Sequence, residues 1–353
     1  MGTSGKLVRD APAHPIGARK VTTSKTQSSE TASARSPALG SAAQPGGRRE
    51  IRPILVSGMH RSGTTWVGHM LCAGGSMIHV GEPLSVLNRQ TILKSKVDRW
   101  YTYIGEDNEG LYLRHYQDAV TFRPHPIQDI RRARLGSPRD PIRIPKRWAS
   151  FVLGRVQARS LLIRDPFSVF SIGWFARRLG FQIVVIVRHP LAVVASLKRL
   201  GYAFDFRNLL EQTSLMNERL ERFRPDMEKA AGSTDVVEQG SLLWRIVYEC
   251  VAEDLVEFPV FLVRHEDLSR RPIQEYAQLY KLLDLPFNDR ARRIIKRHTN
   301  DRNVKEVSAK NPFEIRLDSR ANLDNWRRRL DREEADRILS ATRPLVDRFY
   351  PDD

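Results

Sequence analysis

A chain of 353 residues, 41% of them hydrophobic, has enough material for the buried core of one large α/β domain or two small ones. Its apolar runs fall short of the roughly 18 residues that a membrane-spanning helix needs, and two cysteines, Cys72 and Cys250, make no disulfide framework and suit a reduced, cytoplasmic setting. A formal net charge of +17 asks for an anionic partner, yet zinc spacing, basic-zipper heptads and aromatic–basic ribonucleoprotein motifs are all missing, so no nucleic acid is expected and a solvated Arg-rich surface or a polyanionic small ligand is left.

Residues 1–50 are rich in Ser, Thr, Ala, Gly and Pro and nearly free of large apolar side chains, a composition that predicts disorder. The apolar core of a secretory signal is missing. Few acids would suit a transit peptide, against which Asp10 and Glu30 count. Eight basic and three acidic side chains in this tail carry +5 of the charge and leave +12 on residues 51–353, read as a single domain.

Within that domain, short apolar runs at Ile54–Ser57, Leu161–Ile163, Ile183–Val187 and Val260–Val263 predict buried parallel strands, with a weaker one at Met77–Val80. Helical spacing follows at Leu191–Leu200 and Leu242–Glu257, then at Pro272–Leu283, Asp289–Arg297 and Glu333–Phe349. Strands alternating with helices imply an α/β fold with a mostly parallel central sheet flanked by helices. The stretch at about 85–150 is irregular and aromatic, with Trp100, Tyr101, Tyr103, Tyr112, Tyr116, Phe122 and Trp148. It reads equally as an insertion shaping an acceptor pocket or as a second small core.

The strongest local signal is Ile54-Leu-Val-Ser-Gly58-Met-His60-Arg61-Ser62-Gly63-Thr64-Thr65-Trp66. A strand runs through a glycine-bearing loop into a helix, an arrangement whose backbone N–H groups converge on an anion. Gly58 and Gly63 keep the glycine spacing of a Walker A loop, but Thr64 stands where a nucleoside triphosphatase needs Lys. A second signal is Ile183-Val-Val-Ile-Val187-Arg188-His189-Pro190, with Ser196 eight residues after Arg188 on the following helix. Arg188 then ends a strand at the edge where open α/β sheets bind ligands, and with Ser196 it can reach one phosphate.

Together these residues resemble sulfotransferases that use 3′-phosphoadenosine 5′-phosphosulfate (PAPS), over about residues 52–350. The resemblance implies a P-loop nucleoside-triphosphate-hydrolase-like fold. It implies that the loop, Arg61 to Trp66, holds the 5′-phosphate with Trp66 on adenine, and that Arg188 and Ser196 hold the 3′-phosphate. Arg at position 61 is the residue of carbohydrate and tyrosylprotein members. Leu317-Asp-Ser-Arg320-Ala-Asn-Leu-Asp-Asn-Trp326 resembles the segment whose basic residue closes on the 3′-phosphate, which assigns Arg320 there. Ile163-Arg-Asp-Pro-Phe167 and Val263-Arg-His265-Glu-Asp-Leu268 resemble the family in part.

The implied reaction is in-line sulfuryl transfer to an acceptor hydroxyl, on a glycan, a glycolipid or another small molecule, with Arg61 neutralising charge on the departing 5′-phosphate. Glu82, in His79-Val-Gly81-Glu82-Pro83, is the expected base, His125 its rival, and His60 a phosphate ligand. No metal is expected. Two other readings stay open: a P-loop nucleotide kinase or triphosphatase, and a non-enzymatic polyanion-binding protein.

Overall fold

The computed structural model describes residues 51–87, 93, 97–123, 149, 152–157, 159–305, 316 and 318–351. The tail at 1–50, His125 and Trp148 lie outside the described residues.

Five parallel strands, β1 (Ile54–Ser57), β2 (Met77–Val80), β3 (Ser160–Arg164), β4 (Gln182–Val187) and β5 (Val260–Arg264), form one sheet in the order β2-β3-β1-β4-β5. Ile54 of β1 stands opposite Leu162 of β3 and Gln182 of β4. Alternation of side chains splits the strands between two cores. Leu55, Ile163, Ile183 and Val185 face one, and Ile54, Val56, Leu162, Val184 and Ile186 face the other. Because helices cover both faces, the strands read as unbroken apolar runs.

The first face packs against the helices Ile172–Leu179, Pro190–Leu200, Val236–Glu257 and Arg332–Phe349; the second packs against Thr64–Leu71, Pro272–Leu282 and Asp289–His298. Observed boundaries extend most of the predicted ones by a residue or a few, the largest difference being the start of the long helix at Val236. Asp235 caps it there by accepting from the Val237 and Glu238 amides, a start signal upstream of the apolar stripe.

Tyr101, Tyr112, Tyr116 and Phe122 are buried in the first core rather than in a separate one. Their neighbour Trp100 packs against that core and also lines a cavity.

Candidate functional site

All five strands end at one cavity of about 950 Å³, lined from their carboxyl ends. The loop after β1 contributes His60, Arg61 and Gly63, and the first turn of the Thr64–Leu71 helix contributes Thr64, Thr65 and Trp66; Gly81 and Glu82 follow β2, Arg164 ends β3, Arg188 follows β4 and His265 follows β5. Ser196 enters from the Pro190–Leu200 helix.

The β1 loop needs its glycines. Gly58 has φ 137°, and a Cβ there would run into the Ile186 carbonyl oxygen on β4. Gly63 has φ 100°, and a Cβ there would stand 2.6 Å from the His265 ring. Arg61 itself takes φ 70°, a left-handed conformation that costs a side-chain-bearing residue about a kcal/mol or more. The turn it makes brings the following helix to the cavity amino end first, with first-turn amides that have no partner inside the helix.

Arg61 and Arg188 share this cavity and are coupled. Arg61 Nε donates to Ser196 Oγ at 3.2 Å, and an Arg188 guanidinium nitrogen donates to the Arg61 carbonyl at 3.2 Å. Behind them, Trp244 Nε1 donates to the Arg188 carbonyl at 2.9 Å and the Tyr248 hydroxyl to the Ile186 carbonyl at 2.8 Å. The long helix Val236–Glu257 thus fixes the end of β4.

Arg61, Arg164, Arg188, Arg199 and Arg329 line the cavity, while Glu82 is the single acid among the described lining residues. Burial, with Arg188 and Arg199 nearby, pushes the Arg61 guanidinium down to about 10, and burial lowers Arg188 as well. Like charges crowded in a cleft of low dielectric favour an anion between them. The Nε atoms of Arg164 and Arg188 are buried without a hydrogen-bond partner, donors that suit phosphate or sulfate oxygens.

Glu82, after the edge strand β2, is ion-paired to Arg164, which also donates to the Thr65 hydroxyl at 2.9 Å. The turn that carries Glu82 is fixed by buried Asp165, whose carboxylate accepts from the Leu84 amide at 2.6 Å and the Phe167 amide at 2.9 Å. Burial pushes the Asp165 carboxyl up to about 8. His60 Nδ1 pairs with the Tyr101 hydroxyl at 2.6 Å, and burial lowers the imidazole to about 4, so it is neutral at physiological pH. Trp66 lines the cavity with its ring 5.5 Å from that of His265 and edge-on to Tyr276 at 5.6 Å.

Two expected site residues stand elsewhere. Ser62 is fully buried and does not line the cavity, because the turn at Arg61 directs it inward; its amide donates to the Met59 carbonyl at 3.1 Å. Arg320 is exposed on its turn and donates to the Arg270 carbonyl at 3.2 Å, while Ser319, Asn322 and Arg329 of the same segment reach the cavity. Arg164, Arg199 and Arg329, which line the cavity, and Tyr101, buried behind it against His60, are residues that sequence reasoning missed. Arg164 carried a signal, since it ends β3 much as Arg188 follows β4. Tyr101 carried none, being 41 residues from His60.

Among the described residues, no cluster of His, Cys, Asp or Glu is placed to hold a metal ion, and no helix is long and apolar enough to cross a membrane.

Residues 53–289 match the model of the sulfotransferase family. Over 86 residues, 24% of this chain, the sequence is 34% identical to carbohydrate sulfotransferase 1 of Danio rerio, a match spanning 20% of that relative. Among solved structures, the chain is similar to the sulfotransferase domain from the curacin biosynthetic pathway, at TM-score 0.44 and 17% identity, covering 83% of this chain and 98% of that one. It is also similar to sulfotransferase STF9 from Mycobacterium avium, at TM-score 0.43 and 16% identity, covering 86% and 78%.

Proposed function

The chain belongs to the sulfotransferase family, and on that basis we propose that it transfers a sulfuryl group from PAPS to an acceptor hydroxyl borne by a carbohydrate or glycolipid. The observation that carries this reading is the shared cavity, in which Arg61, Thr65 and Trp66 face the same space as Arg188 and Ser196. A coenzyme with phosphates at both 5′ and 3′ positions needs two anchors within one molecule's reach, and a nucleoside triphosphate does not. The missing loop Lys, with Thr64 in its place, supports the same choice. For the acceptor, the support is the Arg at position 61 and the local likeness to a carbohydrate sulfotransferase.

In this mechanism Arg188 and Ser196 hold the 3′-phosphate, the amino end of the Thr64–Leu71 helix takes the 5′-phosphate, and Trp66 offers its ring to adenine. Glu82 takes the acceptor proton while the acceptor oxygen bonds to sulfur and the bond from sulfur to the phosphate oxygen breaks. Arg61 and Arg164 neutralise the charge that moves onto the leaving phosphate. Arg164 also orients Glu82 and Thr65. A cytoplasmic setting is part of the proposal, supported by Cys72 and Cys250 being free thiols.

Calorimetric titration with adenosine 3′,5′-bisphosphate (PAP) and with ATP tests the reading. PAP is expected to bind at least tenfold more tightly, and preference for ATP would overturn the assignment.

A further inference from the structure

The helix Asp289–His298 carries Arg290, Arg292, Arg293, Lys296 and Arg297, all exposed, against one acid, Asp289. None of the five cations forms an ion pair with any described residue. Elsewhere on the surface arginines are commonly matched, as in Arg177 with Glu257, Arg207 with Asp205 and Arg224 with Glu221. The buried stripe of this helix, Ala291 and Ile295, packs into the second core. Arg290, Arg293 and Arg297 recur at spacings of three and four and so share one outer stripe, about 10 Å long at 1.5 Å per residue. The next residue, His298, lines the cavity. An uncompensated cationic track therefore ends one residue before a side chain that lines the cavity.

We propose that this track docks an acidic polysaccharide, so that the acceptor hydroxyl belongs to an extended anionic glycan held along Arg290, Arg293 and Arg297 while one sugar enters the cavity. The proposal rests on the sulfotransfer reading and narrows its acceptor. Charge complementarity selects a polyanion. A membrane surface would call for large apolar side chains beside the cations, and none of the exposed large hydrophobic residues lies on this helix. Single-stranded nucleic acid would call for stacking rings, and the helix has no Phe, Tyr or Trp. Trp100 on the cavity wall offers a sugar a ring to pack against.

The test compares the wild type with Arg290→Glu/Arg293→Glu/Arg297→Glu and with Arg114→Glu/Lys229→Glu/Arg343→Glu, which makes the same change in total charge at exposed positions off the track. The probes are heparin oligosaccharides, neutral dextran, duplex DNA and phosphatidylserine vesicles, titrated at one fixed salt concentration. Heparin affinity is expected to fall at least tenfold in the track variant and less than threefold in the other, with dextran unbound throughout. Equal losses in both variants would show a general charge effect and overturn the proposal, as would tighter, track-dependent binding of DNA or vesicles. Should the track variant fail to fold by circular dichroism, Arg290→Gln/Arg293→Gln/Arg297→Gln replaces it. PAP affinity, measured on the same proteins, separates the two readings. An unchanged value in the track variant keeps docking distinct from donor binding, and a wild type that ignores PAP sinks the sulfotransfer reading whatever heparin does.

Discussion

Arg61 and Ser196, 135 residues apart in the chain, meet through a hydrogen bond of 3.2 Å from Nε to Oγ. The loop after β1 and the helix after β4 therefore act as one binding surface. A double-mutant cycle on PAP affinity with Arg61→Ala and Ser196→Ala should be non-additive, with a coupling of about 0.5–3 kcal/mol as for residues in direct contact. Purely additive losses would mean that the two ends bind independently.

Arg188→Ala removes a charged donor whose Nε is buried without a partner. The loss of a hydrogen bond to a charged group costs about 1.5–3 kcal/mol, so PAP should bind roughly ten to a hundred times more weakly. Thermal shift gives a second readout: PAP at 100 times its Kd stabilises the wild type by about 2.7 kcal/mol, and the variant should keep only about 0.4–1.4 kcal/mol of that gain at the same concentration.

Glu82→Gln should lower kcat by a factor of about 10²–10⁴, the usual range for a positioned base, while PAP affinity stays within about threefold. Retained turnover would remove Glu82 from the role and turn attention to His60, which is neutral beside Tyr101.

Asp165 predicts a pH dependence of stability. Its folded carboxyl titrates near 8 because it is buried, against 3.8 ordinarily. The folded chain therefore keeps a proton there that the unfolded chain releases at lower pH. The resulting stability is full below pH about 4 and is lost as pH rises through about 8, by at most about 1.4 kcal/mol per pH unit. Asp165→Asn removes the titration while keeping an acceptor for only one of the Leu84 and Phe167 amides, so it should lower stability overall yet flatten that part of the curve. Chemical denaturation across the window decides it, an unchanged slope counting against the account.

Gly58→Ala should be among the most damaging single changes in the loop. It combines a left-handed φ with a Cβ directed at the Ile186 carbonyl, and strain and overpacking each cost about 1–3 kcal/mol. A urea midpoint equal to that of the wild type would contradict the close approach.

The sheet was legible because each strand is buried on both faces and so stands out as an apolar run. Even the weak candidate, with His79 inside it, runs from Met77 to Val80 as expected. The loop after β1 and the turn after β4 were legible for a related reason: glycine and proline mark where strands hand over to helices. What the sequence could not show was the direction of individual side chains in an arginine-rich chain. Arg320 and Arg329 lie nine residues apart in one segment, and only the packed turn decides that the second faces the cavity. Ser62 sits among residues that do face it, yet the backbone reversal at Arg61 sends it into the interior. Tyr101 was hidden by distance along the chain. Among the described residues, the rings around it divide between the first core and the cavity wall.

The carbonyls at the end of β4 and in the β1 loop have one more effect. Carbonyl oxygens where a strand ends and its ladder stops would, if left bare, repel an anion arriving there. Here Tyr248 covers Ile186, Trp244 covers Arg188, and Arg188 covers Arg61. Each of these three carbonyls already accepts a hydrogen bond, which lessens the repulsion it would offer a phosphate beside the arginines.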